Sequence, residues 1–270
     1  MKKFGKKFLA SLLAVAQIIT FTPISNLTAF AAATTNDGNG EDVDQGISST
    51  FSNGVLTISH IDGNPNSEIK NNTLWSGVKD DITKVVIGEG ITVVGPGFGN
   101  TDANEACKNL TTVELPESLT DISTNAFANC TSLTDVDFSK CTNLQHISGV
   151  KFNSSHTNLS NGDGEKNEFL NCTALTRIDL SNCTKLERIW SSGFEGCTNL
   201  EEVILPSTTR MIGQKTFKDC SKLTTINIPD SLIYISQNAF QADTALTNID
   251  LNKVETIKES AFIESGLTEI

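Results

Sequence analysis

One tyrosine, two tryptophans, two methionines and three histidines among 270 residues leave little from which to assemble an active site. No GxSxG, HExxH or phosphate-binding loop occurs. Gly88, Gly90, Gly95, Gly97 and Gly99 are dense, but no Lys-Ser/Thr follows them, so they read as turns rather than a phosphate cradle. The histidines, at 60, 146 and 156, have no spacing that makes a triad or a metal site. Seven cysteines are present, yet their spacings of 11 or more exclude CxxC zinc pairs. Positive charge is also scarce, with 20 basic residues against 32 acidic ones. No basic stripe exists to hold a phosphate backbone, so nucleic acid is not an expected partner, and an anionic membrane would repel the chain. Nothing indicates a cofactor or a resident metal.

The basic residues that do occur include four lysines in MKKFGKK, ahead of an apolar run from Phe8 to Phe21 and a small-residue site at Ala29-Phe30-Ala31. Residues 1–33 therefore read as a secretory signal peptide. The run is shorter than the roughly 20 residues that span a bilayer. Removing it leaves 16 basic and 32 acidic residues, a formal charge of −16. No second long apolar run follows, so no membrane insertion is expected after cleavage.

What the chain has in quantity is a repeated phrase. From Cys107, Cys197 and Cys220 it runs CKNLTTVELPESLTDISTNAFAN, CTNLEEVILPSTTRMIGQKTFKD and CSKLTTINIPDSLIYISQNAFQA, each 23 residues long. A fixed period of this size marks a solenoid, whose units bury their apolar faces only by stacking. Leu110, Val113 and Leu115 alternate as in a half-buried strand. Pro116, Pro206 and Pro229 end such strands, because proline cannot donate to a ladder. The second half of each unit carries Leu119, Ile122 and Phe127, or their equivalents, predicting a short extended segment and then a helical turn that presents Phe inward. Stacked phenylalanines would explain 14 Phe beside a single Tyr.

Around the repeats, residues 34–48 hold four carboxylates and few apolar groups and read as a linker. Residues 49–80, with a hairpin signal at Asn53-Gly54, are assigned to an N-terminal β cap over the first coil, Trp75 packing as its lid. Residues 81–270 carry the repeats. The unit from Cys130 is 42 residues long, and its surplus lies at 153–168, where a surface loop is expected. The last residues, SGLTEI, start a new coil, so the chain is either a fragment or open at its end.

The cysteines recur at one repeat position that Asp243 and Ser265 take over later. Stacked coils would allow disulfides by distance, but an odd number and these replacements favour free, buried thiols. The outward strand positions are the best binding candidates. One row reads Thr112, Asp135, Arg177, Glu202, Thr225 and Asn248, and the other Glu114, Asp137, Asp179, Ile204, Asn227 and Asp250. Like charges stacked in register are unfavourable, so the acids hint at use toward a basic protein patch or calcium, against the plainer reading that they keep the sheet soluble. In the inserted loop, His156 and Asp163 are further candidates.

The pattern LxxVxLPxSLTxIxxxAFxxC, at 110–130 and 223–240, resembles the BspA-like leucine-rich repeats of bacterial surface proteins, as does the entry GVLTISHIDG followed by Trp75. That resemblance implies a β-rich α/β leucine-rich-repeat solenoid, with parallel strands on one face and short extended segments and helical turns on the other. It further implies a secreted or cell-surface protein of a bacterium that adheres to host matrix protein, other cells or glycans, not an enzyme. The alternatives are a targeting module for a catalytic domain beyond residue 270, or a structural spacer. The ligand and the oligomeric state are not set by the sequence.

Overall fold

The computed structural model describes residues 37–65, 67–147 and 167–269. The leader, His156, Asp163 and most of the insertion lie outside them. Strands are numbered along the chain. At the amino end β1 (Gly40–Asp42), β2 (Ile47–Ser52) and β3 (Val55–His60) form an antiparallel meander. Its second turn is Asn53-Gly54, with φ of 51° and 79°, the left-handed pair that matches strand twist in a two-residue hairpin. Part of the segment expected to be linker is thus ordered: Gln45 and Ile47 are buried, and the Gln45 side chain accepts the Lys70 N–H at 2.6 Å.

β3 then pairs in parallel with β5 (Lys84–Ile87), which continues to β7 (Thr112–Glu114) and β9 (Asp135–Asp137). A separate sheet of β11 (Arg177–Asp179), β13 (Glu202–Ile204) and β15 (Thr225–Ile226) carries the same face onward. The second face is one eight-stranded parallel ladder of two-residue strands: β4 (Glu68–Ile69), β6 (Val93–Val94), β8 (Asp121–Ile122), β10 (His146–Ile147), β12 (Arg188–Ile189), β14 (Met211–Ile212), β16 (Tyr234–Ile235) and β17 (Thr256–Ile257).

On the third side, the expected helical turns are realised as tight turns that bond from coil to coil. The N–H groups of Phe169, Phe194, Phe217 and Phe240 donate to Gly193, Thr216, Ala239 and Ala261 carbonyls at 2.8, 2.8, 2.9 and 2.8 Å. Left-handed residues two before and two after the ring, such as Asn125 and Asn129 at φ 60° and 61°, stop each turn from growing into a helix. Among the described residues the single helix is a 3-10 turn at Ser76–Val78.

The core is the interior of this tube. Leu110, Leu119, Ile122 and their equivalents are buried as far as Ile235, whereas in the last coil Ile257 is 39% exposed. A spine of Trp75, Phe98, Phe127, Phe169, Phe194, Phe217, Phe240 and Phe262 runs through it, successive rings 5.1–5.6 Å apart and within 2–20° of parallel. Stacking at this spacing adds about 0.5–1.5 kcal/mol per pair beyond area burial. Trp75 ends the spine, and its Nε1 donates to the Gly97 carbonyl at 2.9 Å. The seven cysteines are free and buried. Cys130, Cys172, Cys197 and Cys220 each direct Sγ to a Phe carbonyl of an earlier coil, at 3.5, 3.2, 3.2 and 3.3 Å.

Candidate functional site

The pleat of the first face fixes which side chains can meet a partner. Val113, Val136, Ile178 and Val203 point inward, and their flanking residues point outward. Thr112 lies beside Asp135 and Glu114 beside Asp137. Further along, Arg177, Glu202 and Thr225 are in register, and Asp179 lies beside Ile204. The two candidate rows therefore exist, but in two blocks. Asn248 and Asp250 stand apart in a surface depression of about 550 Å³ toward the carboxyl end, shared with Glu269.

Charges in the rows are partly compensated. Lys84, aligned with Thr112, reaches Glu114 at 2.5 Å. The Arg177 guanidinium bridges Asp179 at 2.8 Å and Glu202 at 2.6 Å. Lys84 did not figure among the sequence candidates, although aligning ITKVVIGEG with LTTVELPES places it at the head of the row.

Three of the acids also have a local task. Asp137, Asp179 and Asp250 accept the N–H of Ser139, Ser181 and Asn252 at 2.9, 3.0 and 3.0 Å, each closing a turn just after its strand position. These units lack the Leu-Pro that follows Glu114, and the aspartate takes over the bend. The Ser139 hydroxyl and N–H hold the Asp137 carboxyl below its ordinary range. At Asp179 burial pulls upward, but Ser181 and Arg177 outweigh it and the net shift is again downward. Asp135 is exposed and makes no ion pair among the described residues.

Between the two blocks the face is interrupted. β9 ends one sheet, β11 begins the next, and no ladder joins them. A depression of about 620 Å³ lies over this split, lined by Lys84, Glu114, Asp135, Asp137, Arg177 and Asp179 among others. Sequence reasoning did not anticipate the split. The available signal was Phe138, where Leu115, Leu180 and Leu205 stand in other coils; its ring lies edge-on to Phe169 at 6.4 Å. On the second face, His146 meets Asp121 through Nδ1 at 2.8 Å. His146 is followed by the inserted segment, which leaves the described part after Ile147 and rejoins it at Asn167.

A polar face of short parallel strands over a stacked apolar spine defines a leucine-rich-repeat scaffold. The profile of the BspA type leucine rich repeat region matches six copies over residues 67–161 and 164–270, and the chain belongs to that family. The crystal structure of the leucine rich repeat protein TpLRR from T. pallidum aligns with TM-score 0.53 and 20% identity, over 75% of this chain and 89% of that one. A leucine rich cell surface protein from Faecalibacterium prausnitzii aligns with TM-score 0.52 and 23% identity, over 83% of this chain and 54% of that one. This chain thus spans about half of the latter's length. These likenesses establish the fold. Among curated proteins none matches the chain.

Proposed function

We propose that the protein is a secreted or surface-displayed bacterial binding protein whose first face engages an extracellular protein or glycan, and that it is not itself an enzyme. The observation that carries this reading is the polar first face, Thr112 to Glu202, held rigid by the spine beneath it and broken by one acid-lined depression. Shallow polar faces bind by summing many contacts, and preorganisation lowers the entropy each contact must offset. The amino-terminal leader and the surface relative from F. prausnitzii support an extracellular location. No helix among the described residues is long and apolar enough to cross a membrane.

The test is binding of the mature chain to immobilised matrix proteins, bacterial cells and a glycan array. Asp135→Lys combined with Asp137→Asn should weaken the partner at least ten-fold. Asparagine keeps the turn acceptor, and exposed substitutions of this kind cost within about 0.5 kcal/mol, so melting should hardly move. Equal binding by the variant, or no binding to any surface, refutes the reading.

A further inference from the structure

We propose that the first face docks an arginine-bearing surface of a partner protein, one guanidinium seating across Asp135 and Asp137 of β9. This rests on the binding-protein reading above and chooses protein over glycan as the partner of that face.

The chain itself shows how a guanidinium sits on this sheet. In β11 the outward pair is Arg177 and Asp179, and Arg177 reaches Asp179 at 2.8 Å and Glu202 of the next coil at 2.6 Å. One coil earlier the same two positions of β9 are Asp135 and Asp137, so a second carboxylate stands where the cation would be. Residues i and i+2 of a strand project from one face about 6.6 Å apart. The fork of a guanidinium can bridge that separation with one charge-assisted hydrogen bond to each carboxylate. Among the described residues neither Asp135 nor Asp137 has an ion-pair partner. The two cations that line the depression above them are already engaged, Lys84 with Glu114 and Arg177 with Asp179 and Glu202.

Composition selects a protein over a sugar. Neutral sugars stack on exposed aromatic rings, and the outward positions from Thr112 to Glu202 hold none. Trp75, Trp190 and Tyr234 are at most 8% exposed and lie in the spine or along the second face. An anionic glycan would meet Glu114, Asp135, Asp137 and Asp179 together. Thr112, Thr134 and Thr176 line the same depression without charge, so a flat surface can settle beside the carboxylates while its arginine enters between them. Complementary charge of this kind steers the encounter and fixes the register of docking.

The experiment titrates the isotope-labelled mature chain with a blocked pentapeptide of alternating serine and arginine, and with its citrulline counterpart, which keeps the shape and loses the charge. Chemical-shift changes should centre on β9, and the citrulline peptide should bind at least ten-fold more weakly. Asp135→Arg gives Asp137 a guanidinium from its own strand, as Arg177 serves Asp179, and should weaken the arginine peptide at least ten-fold with melting kept. Glu259→Arg, away from this face, makes the same change of net charge and should leave affinity within two-fold. Equal losses in the two variants, or equal binding of the citrulline peptide, overturn the inference, because net charge or shape would then account for binding. Displacement of the peptide from β9 by a neutral glycan or by heparin overturns the choice of a protein. Failure of the peptide to bind overturns it too, while glycan binding that Asp135→Lys with Asp137→Asn weakens would leave the broader reading standing.

Discussion

In the buried column of thiols, Cys130, Cys172, Cys197 and Cys220 each donate a hydrogen bond to a phenylalanine carbonyl of an earlier coil. Burial pushes these thiols far from ionisation, with Cys107 and Cys197 both raised to about 12. A thiol is a nucleophile only as the thiolate, so a disulfide-exchange reagent at pH 8 should label fewer than one thiol per folded molecule and all seven after unfolding. Labelling of several thiols at native stability would reject the buried column. Asp243 takes the same position with different consequences. Its Oδ1 accepts the Cys220 N–H at 3.0 Å, its Oδ2 has no partner, and burial, with some help from Asp219, raises it from 3.8 to about 9. Between those two values the folded chain holds a proton that the unfolded chain releases, so stability falls as pH rises through this window. Asp243→Cys should therefore raise the melting temperature more at pH 8 than at pH 5. An equal shift at both would mean that the carboxyl is not buried as a neutral acid. The exchange of Cys for Asp was legible in the sequence; that it leaves Oδ2 without a hydrogen-bond partner was not, because that depends on which groups the neighbouring coils turn toward it.

At the scale of elements, the strands were readable because period-two alternation of Leu and Val survives in every unit. The turns were less so. A Phe five residues after Ile looks like a helical turn, yet Asn125 and Asn129 at positive φ close the backbone before a second turn can form. The acidic row shows the opposite limit. It was read as a hint of binding, and three of its members turn out to close bends, a task invisible until Ser139, Ser181 and Asn252 are seen to donate to them. Glu114, Asp135 and Glu202 owe nothing to a turn of this kind. The spine, in contrast, was anticipated by composition, and its energetics can be tested. Phe217 is fully buried between Phe194 and Phe240, at 5.6 and 5.4 Å. Phe217→Ala should cost about 3–5 kcal/mol, whereas Phe217→Leu should cost less by keeping most of the volume. Chemical denaturation measures both, and equal costs would show that the stacked ring, and not the volume it fills, carries the stability of this position.

For the whole molecule, the repeat period settled the architecture but not its weakest joint. A solenoid is stabilised by each coil and by each interface between neighbours, so a defect at one interface divides the molecule there. Between the coils of β9 and β11 the first-face ladder is missing. What remains is the second face, where His146 and Ile147 pair with Arg188 and Ile189, the Phe127–Phe169 stack at 5.2 Å, and turn bonds from Phe127 and Asn129 to Glu168 and Leu170 carbonyls at 2.8 and 2.7 Å. From β3 to β9 and from β11 to β15 the first-face ladder is added to these connections, and it ends again after β15. Destabilising the carboxyl half should therefore unfold it separately. In Phe240→Ala, hydrogen exchange followed by mass spectrometry in rising urea should show β13 to β17 opening while β3, β5 and β7 stay protected. Simultaneous loss of protection in both halves would mean that the spine alone couples them, and that the split is a feature of the surface and not of the molecule's cooperativity.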